Sequence, residues 1–402
     1  MAVVEPGRRA TVRPRDLAEA RAAMLDAGAG GRPLRIVGAG TKQAWGAPVE
    51  AGLVVETGGM DRLVAHNAGD MTAEVEAGMP LARLNELLGG AGQWLALDPP
   101  AARGGAAATV GGIVATGDAG PRRLRYGAPR DLVIGMTFVL SDGSIGRTGG
   151  HVIKNVAGYD LAKLLAGSMG TLGLIASVVV RLHPRPAASR TVRLAATAKQ
   201  AAELTLALMA SPIEPSAVEW DGAAGTLLVR LEGGAAGVKE RAGRVLALAA
   251  GHGVDSAGRV LAGAAERGAW ATLGGRVAGA DGDTVARAAT PPDRLVEVAE
   301  ALDRAAQAAG VAAAVVSSTA LGLHTARASG GDPAGHGELV RSWRRSVEAL
   351  GGTVRLRRRA GGVDGLVDAW GGPPSAAALM RRVKRTLDPR DRCGPGRFQP
   401  WW

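Results

Sequence analysis

Between Thr109 and Pro186 five glycine-marked motifs follow one another in one order: TVGG at 109–112, GDAGPRR at 117–123, RDLVIG at 130–135, GHVIKNVAGYDL at 150–161 and GSMGTLGLI at 167–175. Such a series constrains a chain far more than any single glycine motif. At its start, Thr109–Gly112 ends a run of Ala and Gly and leads into the short apolar stretch Ile113–Ala115. The expectation is a turn whose backbone N–H groups are left unpaired, and such groups bind phosphate.

A second place of this kind lies upstream. Leu34–Val37 reads as a short apolar strand running into Gly38-Ala39-Gly40-Thr41-Lys42. A Rossmann fingerprint needs a third glycine and a long helix, whereas Gly46 and Pro48 interrupt almost at once. What remains is a strand and a glycine-rich turn whose N–H groups, with Thr41 and Lys42, can cradle a pyrophosphate. The plain alternative is an ordinary turn.

Around these turns the pattern is α+β. Leu53–Thr57, Met71–Ala77, Gln93–Leu97, Asp131–Leu140 and Leu174–Leu182 read as strands, Pro80 opens a helix closing at Gly89-Gly90, and Asp142-Gly143 is a hairpin turn. Asp160 is a candidate cap for a helical turn at Leu161–Leu165. His183-Pro184-Arg185-Pro186 marks a hinge, because proline interrupts a central strand. Beyond it the chain repeats itself. A strand at Val192–Ala196, a helix at Lys199–Ala210, strands at Ala217–Trp220 and Thr226–Glu232 and a helix at Ala235–Ala250 are echoed by Val285–Ala289, Pro292–Ala309, Ala312–Ser317, Leu321–Ala326 and Gly337–Leu350. Two β-α-β-β-α units predict one antiparallel sheet with helices on one face. A further helix is expected at Ser375–Leu387.

The motif order from about Leu34 to Pro186 resembles the FAD-binding subunits of bacterial glycolate oxidase, within the vanillyl-alcohol oxidase (p-cresol methylhydroxylase-type) flavoprotein superfamily. Asp388-Pro389 and Pro395-Gly396-Arg397 resemble that family's terminal signature, with Gly394 where Asn is usual. The resemblance implies an α+β chain: a two-part p-cresol methylhydroxylase-type FAD-binding domain at 1–186, an α+β cap domain with an antiparallel sheet at 187–374, and a helix and tail at 375–402 returning to the FAD domain. Gly38, Ala39, Gly40, Thr41 and Lys42 with Thr109, Val110, Gly111 and Gly112 would hold the phosphates. By resemblance, Thr116, Gly117, Asp118 and Gly120 continue the cofactor loop, Gly127 and Asp131 support it, and Gly173, Leu174 and Ile175 line the adenine or ribitol side. Some superfamily members tether flavin through His or Cys. Gly38–Gly46 and Thr109–Gly127 contain neither, so noncovalent FAD is expected.

No residue stands out as catalytic. Related catalytic subunits carry an HxGDGNxH-type run and a later EHGxG-type run feeding one metal site. Here His324 sits in ALGLHTAR with no acidic partner, and His66, His151, His183, His252 and His336 are isolated, so no metal is expected. Lys154, Asn155, Tyr159 and Asp160 form the densest polar cluster; either Lys154 or Tyr159 faces the flavin or substrate or, the favoured reading, the cluster buttresses the cofactor loop. Cys393 has no His beside it, and Phe398 to Trp402 is an apolar tip that could pack on this chain or on a partner.

The net charge of +11 would point to nucleic acid if it were concentrated, but Arg is scattered and aromatics are only 3%, leaving little for base stacking. No apolar run approaches the roughly 18 residues of a membrane helix. The N-terminus lacks a secretory pattern and there is one cysteine, which fits a cytoplasmic protein, at most peripheral at the inner membrane through partners. The expected function is the FAD-binding subunit of a complex oxidising glycolate to glyoxylate, beside a catalytic flavoprotein subunit and an iron–sulfur subunit. A stand-alone FAD-dependent dehydrogenase of small 2-hydroxy acids of the D-lactate type, and a structural subunit with a vestigial flavin fold, are the alternatives.

Overall fold

The computed structural model describes residues 10–100, 107–152, 158–254 and 259–402. The chain divides into two compact units, one of Met1–Ala119, Gly127–Arg185 and Gly372–Trp402, the other of Gly120–Tyr126 and Pro186–Gly371.

The first unit holds two sheets. A parallel one runs Ala10–Val12, Leu53–Glu56, Leu34–Val37; an antiparallel one runs Leu63–Asn67, Thr72–Glu76, Leu174–Arg181, Val133–Val139, Ile145–Gly149. The strand Leu174–Arg181 is apolar and β-branched because it is covered on both sides. Its Ile175, Val178 and Val180 join a core with Leu84, Leu88, Ile113 and Phe138, while Leu174 and Ala176 join another with Met24, Leu34, Leu53 and Met60. The expected strand at Asp131–Leu140 is preceded by a helical turn, Pro129–Leu132, because Pro129 presets the backbone and the Asp131 carboxylate accepts the Ala128 N–H at 2.8 Å. The strand expected over Gln93–Leu97 is confined to Gln93–Trp94.

The second unit is one eight-stranded antiparallel sheet in the order Arg259–Leu261, Ala188–Ala195, Thr226–Gly233, Ala217–Asp221, Ala312–Ser318, Leu323–Ser329, Thr284–Ala289, Thr353–Arg358. The two halves of the repeat mirror each other and meet where Glu219–Asp221 pairs with Val316–Ser318. Each half also gains an outer strand after its second helix, Arg259–Leu261 in one and Thr353–Arg358 in the other. Helices Ala198–Met209, Ala235–Gly251, Leu295–Ala309 and Pro333–Ala349 form a layer. In Leu295–Ala309 the buried stripe is Leu295, Val298, Leu302 and Ala305, at helical spacing, and Gly310 closes it in the left-handed conformation.

The helices do not all lie on one face. Helix Gly263–Ala278 packs Leu273 on Leu228 and Val316, and its Trp270 ring lies 3.8 Å under the Arg230 guanidinium. Leu228 and Arg230 alternate with Leu227, Val229 and Leu231, so this helix covers the opposite side of the sheet. Its sequence, with glycines at 268, 274 and 275, carries no clear apolar stripe. Among the described residues, no helix is long and apolar enough to cross a membrane.

Candidate functional site

A cleft opens in the first unit where the end of strand Leu34–Val37, the start of helix Val110–Thr116 and the turn at Met169–Gly173 converge. Gly38, Ala39, Gly40, Thr41 and Lys42 all line it. Gly40 has φ +73°, a conformation that lets the loop turn sharply off the strand. Among the described residues, the amide N–H groups of Ala39 through Lys42 donate to no protein acceptor. The Lys42 ammonium reaches the Asp118 carboxylate at 3.3 Å and donates to Thr41 Oγ1 at 3.3 Å.

The second turn works differently from the sequence expectation of unpaired amides. Thr109 caps the helix by accepting the Gly112 N–H at 3.2 Å, the Val110 N–H donates to Met79 O at 2.8 Å, and the Gly111 N–H donates to Ala77 O at 2.8 Å. These amides are already used, since burying them unpaired would cost too much. Its glycines serve close approach instead. A Cβ on Gly111 would stand 2.5 Å from Ala77 Cβ, and one on Gly38 would run into Thr109 Oγ1. The Thr116 hydroxyl donates back to Gly112 O at 2.7 Å, inside its own helix.

Thr109, Gly111, Gly112, Thr116, Gly173 and Ile175 line the cleft. Val110 and Leu174 do not; both are fully buried in the cores, on the inward faces of their helix and strand. Gly117 closes the helix at φ +63°, and Asp118, outside the lining, pairs with Lys42 of the cleft wall. Gly127 and Asp131 sit against each other away from the lining, where Asp131 caps Ala128. Gly120 falls in the second unit, within a segment fixed by Arg122 Nη2 at 2.8 Å and the Tyr126 hydroxyl at 3.3 Å, both donating to the Glu232 carboxylate. Burial and the Glu232 charge push the Tyr126 hydroxyl up to about 12, so it stays protonated and donates.

Sequence reading missed Ile36, Gln43, Thr57, Ala115, Met169, Gly170 and Arg397, which complete the lining. The GSMG motif hinted at the turn bearing Met169, whose φ is +57°; the Pro395-Gly396-Arg397 signature marked Arg397 as part of the returning tail but not as a residue of the cleft wall. The cleft wall therefore holds two cations, Lys42 and Arg397, and no acidic, histidine or cysteine side chain among its described residues.

Other singled-out residues lie elsewhere. Tyr159 is 90% exposed, Asp160 caps Leu161–Leu165 by accepting the Lys163 N–H at 3.3 Å, and Lys154 and Asn155 lie outside the described residues. His324 is fully buried between Ser317 Oγ at 2.9 Å and Thr290 Oγ1 at 3.0 Å; burial and nearby Arg287 lower it to about 4. His336 lies between Thr284 Oγ1 and Gly330 O, and burial pushes the Cys393 thiol up. No group of three or more His, Cys, Asp or Glu side chains suited to a metal ion occurs among the described residues. Phe398 and Trp401 are buried and stacked at 6.1 Å, so most of the apolar tip is covered by this chain itself.

Unspent amides, two cations and small residues at the points of closest approach fit the diphosphate of a dinucleotide such as FAD. Comparison with known proteins agrees. Residues 9–149 match the FAD binding domain family, and residues 372–398 match the C-terminal domain of FAD linked oxidases. Glycolate oxidase subunit GlcE of Escherichia coli is 36% identical over 208 residues, covering 52% of this chain and 58% of that protein. Glycolate oxidase subunit GlcD of Bacillus subtilis is 35% identical over 46% of this chain and 39% of its own length, and the mitochondrial cytochrome D-lactate dehydrogenase of Arabidopsis thaliana is 38% identical over 42% and 29%. The chain thus spans little more than half, or less, of these relatives. Among solved structures, p-cresol methylhydroxylase with substrate bound superposes with TM-score 0.72 over 96% of this chain and 88% of that one at 16% identity, which shows a shared fold.

Proposed function

We propose that this chain, whose residues 9–149 and 372–398 match FAD-linked oxidase domain families and which carries FAD as its cofactor, is the FAD-binding subunit of a complex oxidising glycolate to glyoxylate. The observation that carries this reading is a cleft equipped to hold a diphosphate yet lacking, among its described lining side chains, a group suited to take a substrate proton. The likeness to the Escherichia coli glycolate oxidase subunit supports the same assignment. On this reading residues 1–186 and 375–402 form the cofactor half and 187–374 the cap. A catalytic flavoprotein subunit and an iron–sulfur subunit complete the complex, which is cytoplasmic or held at the inner membrane by its partners.

Bound FAD would accept the hydride from the carbinol carbon of a 2-hydroxy acid. The chain's own part is to bind and orient. Ala39 to Lys42 would give their N–H groups to the pyrophosphate, Lys42 and Arg397 would add positive charge, and Gly38 and Gly111 let the loop, helix and strand close around it. With no His or Cys among the described residues of the wall, attachment would be noncovalent. A positioned general base contributes about 10² to 10⁴ in rate. That contribution would come from the partner.

The second reading is a stand-alone 2-hydroxy-acid dehydrogenase, favoured by the 38% identity to the plant D-lactate dehydrogenase. A vestigial flavin fold is opposed by the unspent amides and cations of the cleft. Turnover of glycolate and D-lactate with an artificial acceptor separates the readings. The isolated chain is expected to be inactive and the co-expressed complex active; steady oxidation by the chain alone would install the stand-alone dehydrogenase.

A further inference from the structure

The wall of the cleft is held from the far end of the chain. Residues 38–47 form no helix or strand, yet Arg397 Nη1 donates to three of that loop's carbonyls, Gln43 O at 3.1 Å, Trp45 O at 2.7 Å and Ala47 O at 3.1 Å. Its Nη2 lies 3.4 Å from Gln43 Oε1, and the Ala47 N–H donates back to Arg397 O at 3.0 Å. Arg397 is 5% exposed and itself lines the cleft.

The opposite wall has a similar anchor. Lys384, 4% exposed, sends its ammonium to Thr171 O at 2.8 Å, Cys393 O at 2.9 Å, Asp388 Oδ2 at 2.5 Å and Asp391 Oδ1 at 3.0 Å. Thr171 closes the turn that carries Met169 and Gly170 into the cleft. Between these anchors the tail pairs with the strand below the first loop, the Leu34 N–H donating to Arg392 O at 2.8 Å and the Gly394 N–H to Leu34 O at 2.9 Å. One short segment therefore fixes both walls.

We infer that Arg397 and Lys384 are positioning residues of the cofactor site, holding the loop 38–47 and the turn 168–171 in the shape that receives FAD. This rests on the FAD reading above. Amides on an unsupported loop must be ordered by the ligand, and that ordering is subtracted from affinity; a loop ordered beforehand escapes the loss. Arg397 suits the task because its guanidinium stays charged when buried and reaches the loop through both terminal nitrogens, Nη1 on the three carbonyls and Nη2 on the Gln43 side chain.

The test is FAD titration of the full-length apoprotein by fluorescence, with hydrogen exchange of residues 38–47 and the thermal midpoint recorded on the same samples, for wild type, Arg397→Ala, Arg397→Lys and Lys384→Met. The folded apo variants should show a dissociation constant raised about tenfold or more, with faster exchange at 38–47 in both Arg397 variants and a smaller affinity loss in Arg397→Lys. If Arg397→Ala does not fold, Arg397→Lys, which keeps the buried charge, carries the test. Wild-type affinity and exchange in folded Arg397 variants, even with a lowered midpoint, would mean a merely structural role and overturn the inference while leaving the FAD reading standing. A wild-type chain that takes up no FAD would remove the reading and this inference together.

Discussion

Lys42 Nζ lies 3.3 Å from the Asp118 carboxylate, with 9% and 2% of the two side chains left exposed. The pair joins the first cleft loop to the residue that follows the helix Val110–Thr116 and its closing Gly117. Removing one partner of a buried pair typically costs about 3–5 kcal/mol, because the other charge is left in a poor solvent. Asp118→Asn should therefore lower the thermal midpoint of the apoprotein. A diphosphate would offer Lys42 a new counter-charge, so FAD should raise the midpoint more in the variant than in wild type. Equal rises would show that Lys42 does not face the phosphates.

The two glycine turns should respond differently to the smallest possible side chain. Gly111→Ala places a Cβ 2.5 Å from Ala77 Cβ and 2.8 Å from Ala77 O, so the helix must move off its strand. Overpacking of this kind costs about 1–3 kcal/mol, readable as a lowered urea midpoint. At Gly40 only Val37 Cγ1 comes within reach, at 3.9 Å, and the burden is the positive φ. Gly40→Asp should leave the fold largely intact and reduce FAD content by placing a carboxylate beside the phosphates. Full FAD occupancy in Gly40→Asp would dislodge the first loop from the site.

His324 predicts an acid sensitivity confined to the second unit. Its folded-state value of about 4 lies below the ordinary 6.5, so between those pH values the unfolded chain binds a proton that the folded chain refuses. Stability from this residue is present above pH 6.5 and is lost as pH falls towards 4, a change on the order of 3 kcal/mol. His324→Gln should flatten the pH dependence of urea unfolding over that interval. An unchanged slope would show that folding leaves the proton affinity of His324 unaltered.

Noncovalent attachment has a direct readout. Acid precipitation of the purified chain should leave the yellow chromophore in the supernatant, and mass analysis should give the unmodified chain. Flavin retained in the pellet would require a tether that the described residues of the cleft wall do not provide.

The strands and helices were legible where short-range pattern and burial coincide. Leu295–Ala309 shows its buried stripe at helical spacing, and the doubled β-α-β-β-α order foretold an antiparallel sheet. Helix Gly263–Ala278 was hidden because it covers a small patch and carries internal glycines, so neither propensity nor periodicity marks it. The outer strand Arg259–Leu261 was missed because it buries little and needs no strong pattern, whereas Thr353–Arg358 carries an alternating pattern, with Val354 and Leu356 buried, too short to stand out among its arginines.

By itself the sequence determined where the backbone can turn tightly and approach closely, through Gly38, Gly40 and Gly111, and the order of its motifs carried the resemblance that implied a flavin-type fold and cofactor. Tertiary structure decided what each glycine is for. Only the packed chain shows that the amides of Val110 and Gly111 are spent on Met79 and Ala77, while those of Ala39 to Lys42 find no acceptor among the described residues. Only it brings Arg397 onto the carbonyls of residues 43–47. The physical reason is that a hydrogen bond's partner is fixed by proximity in space, and across some 350 residues of chain no local propensity or period records that proximity.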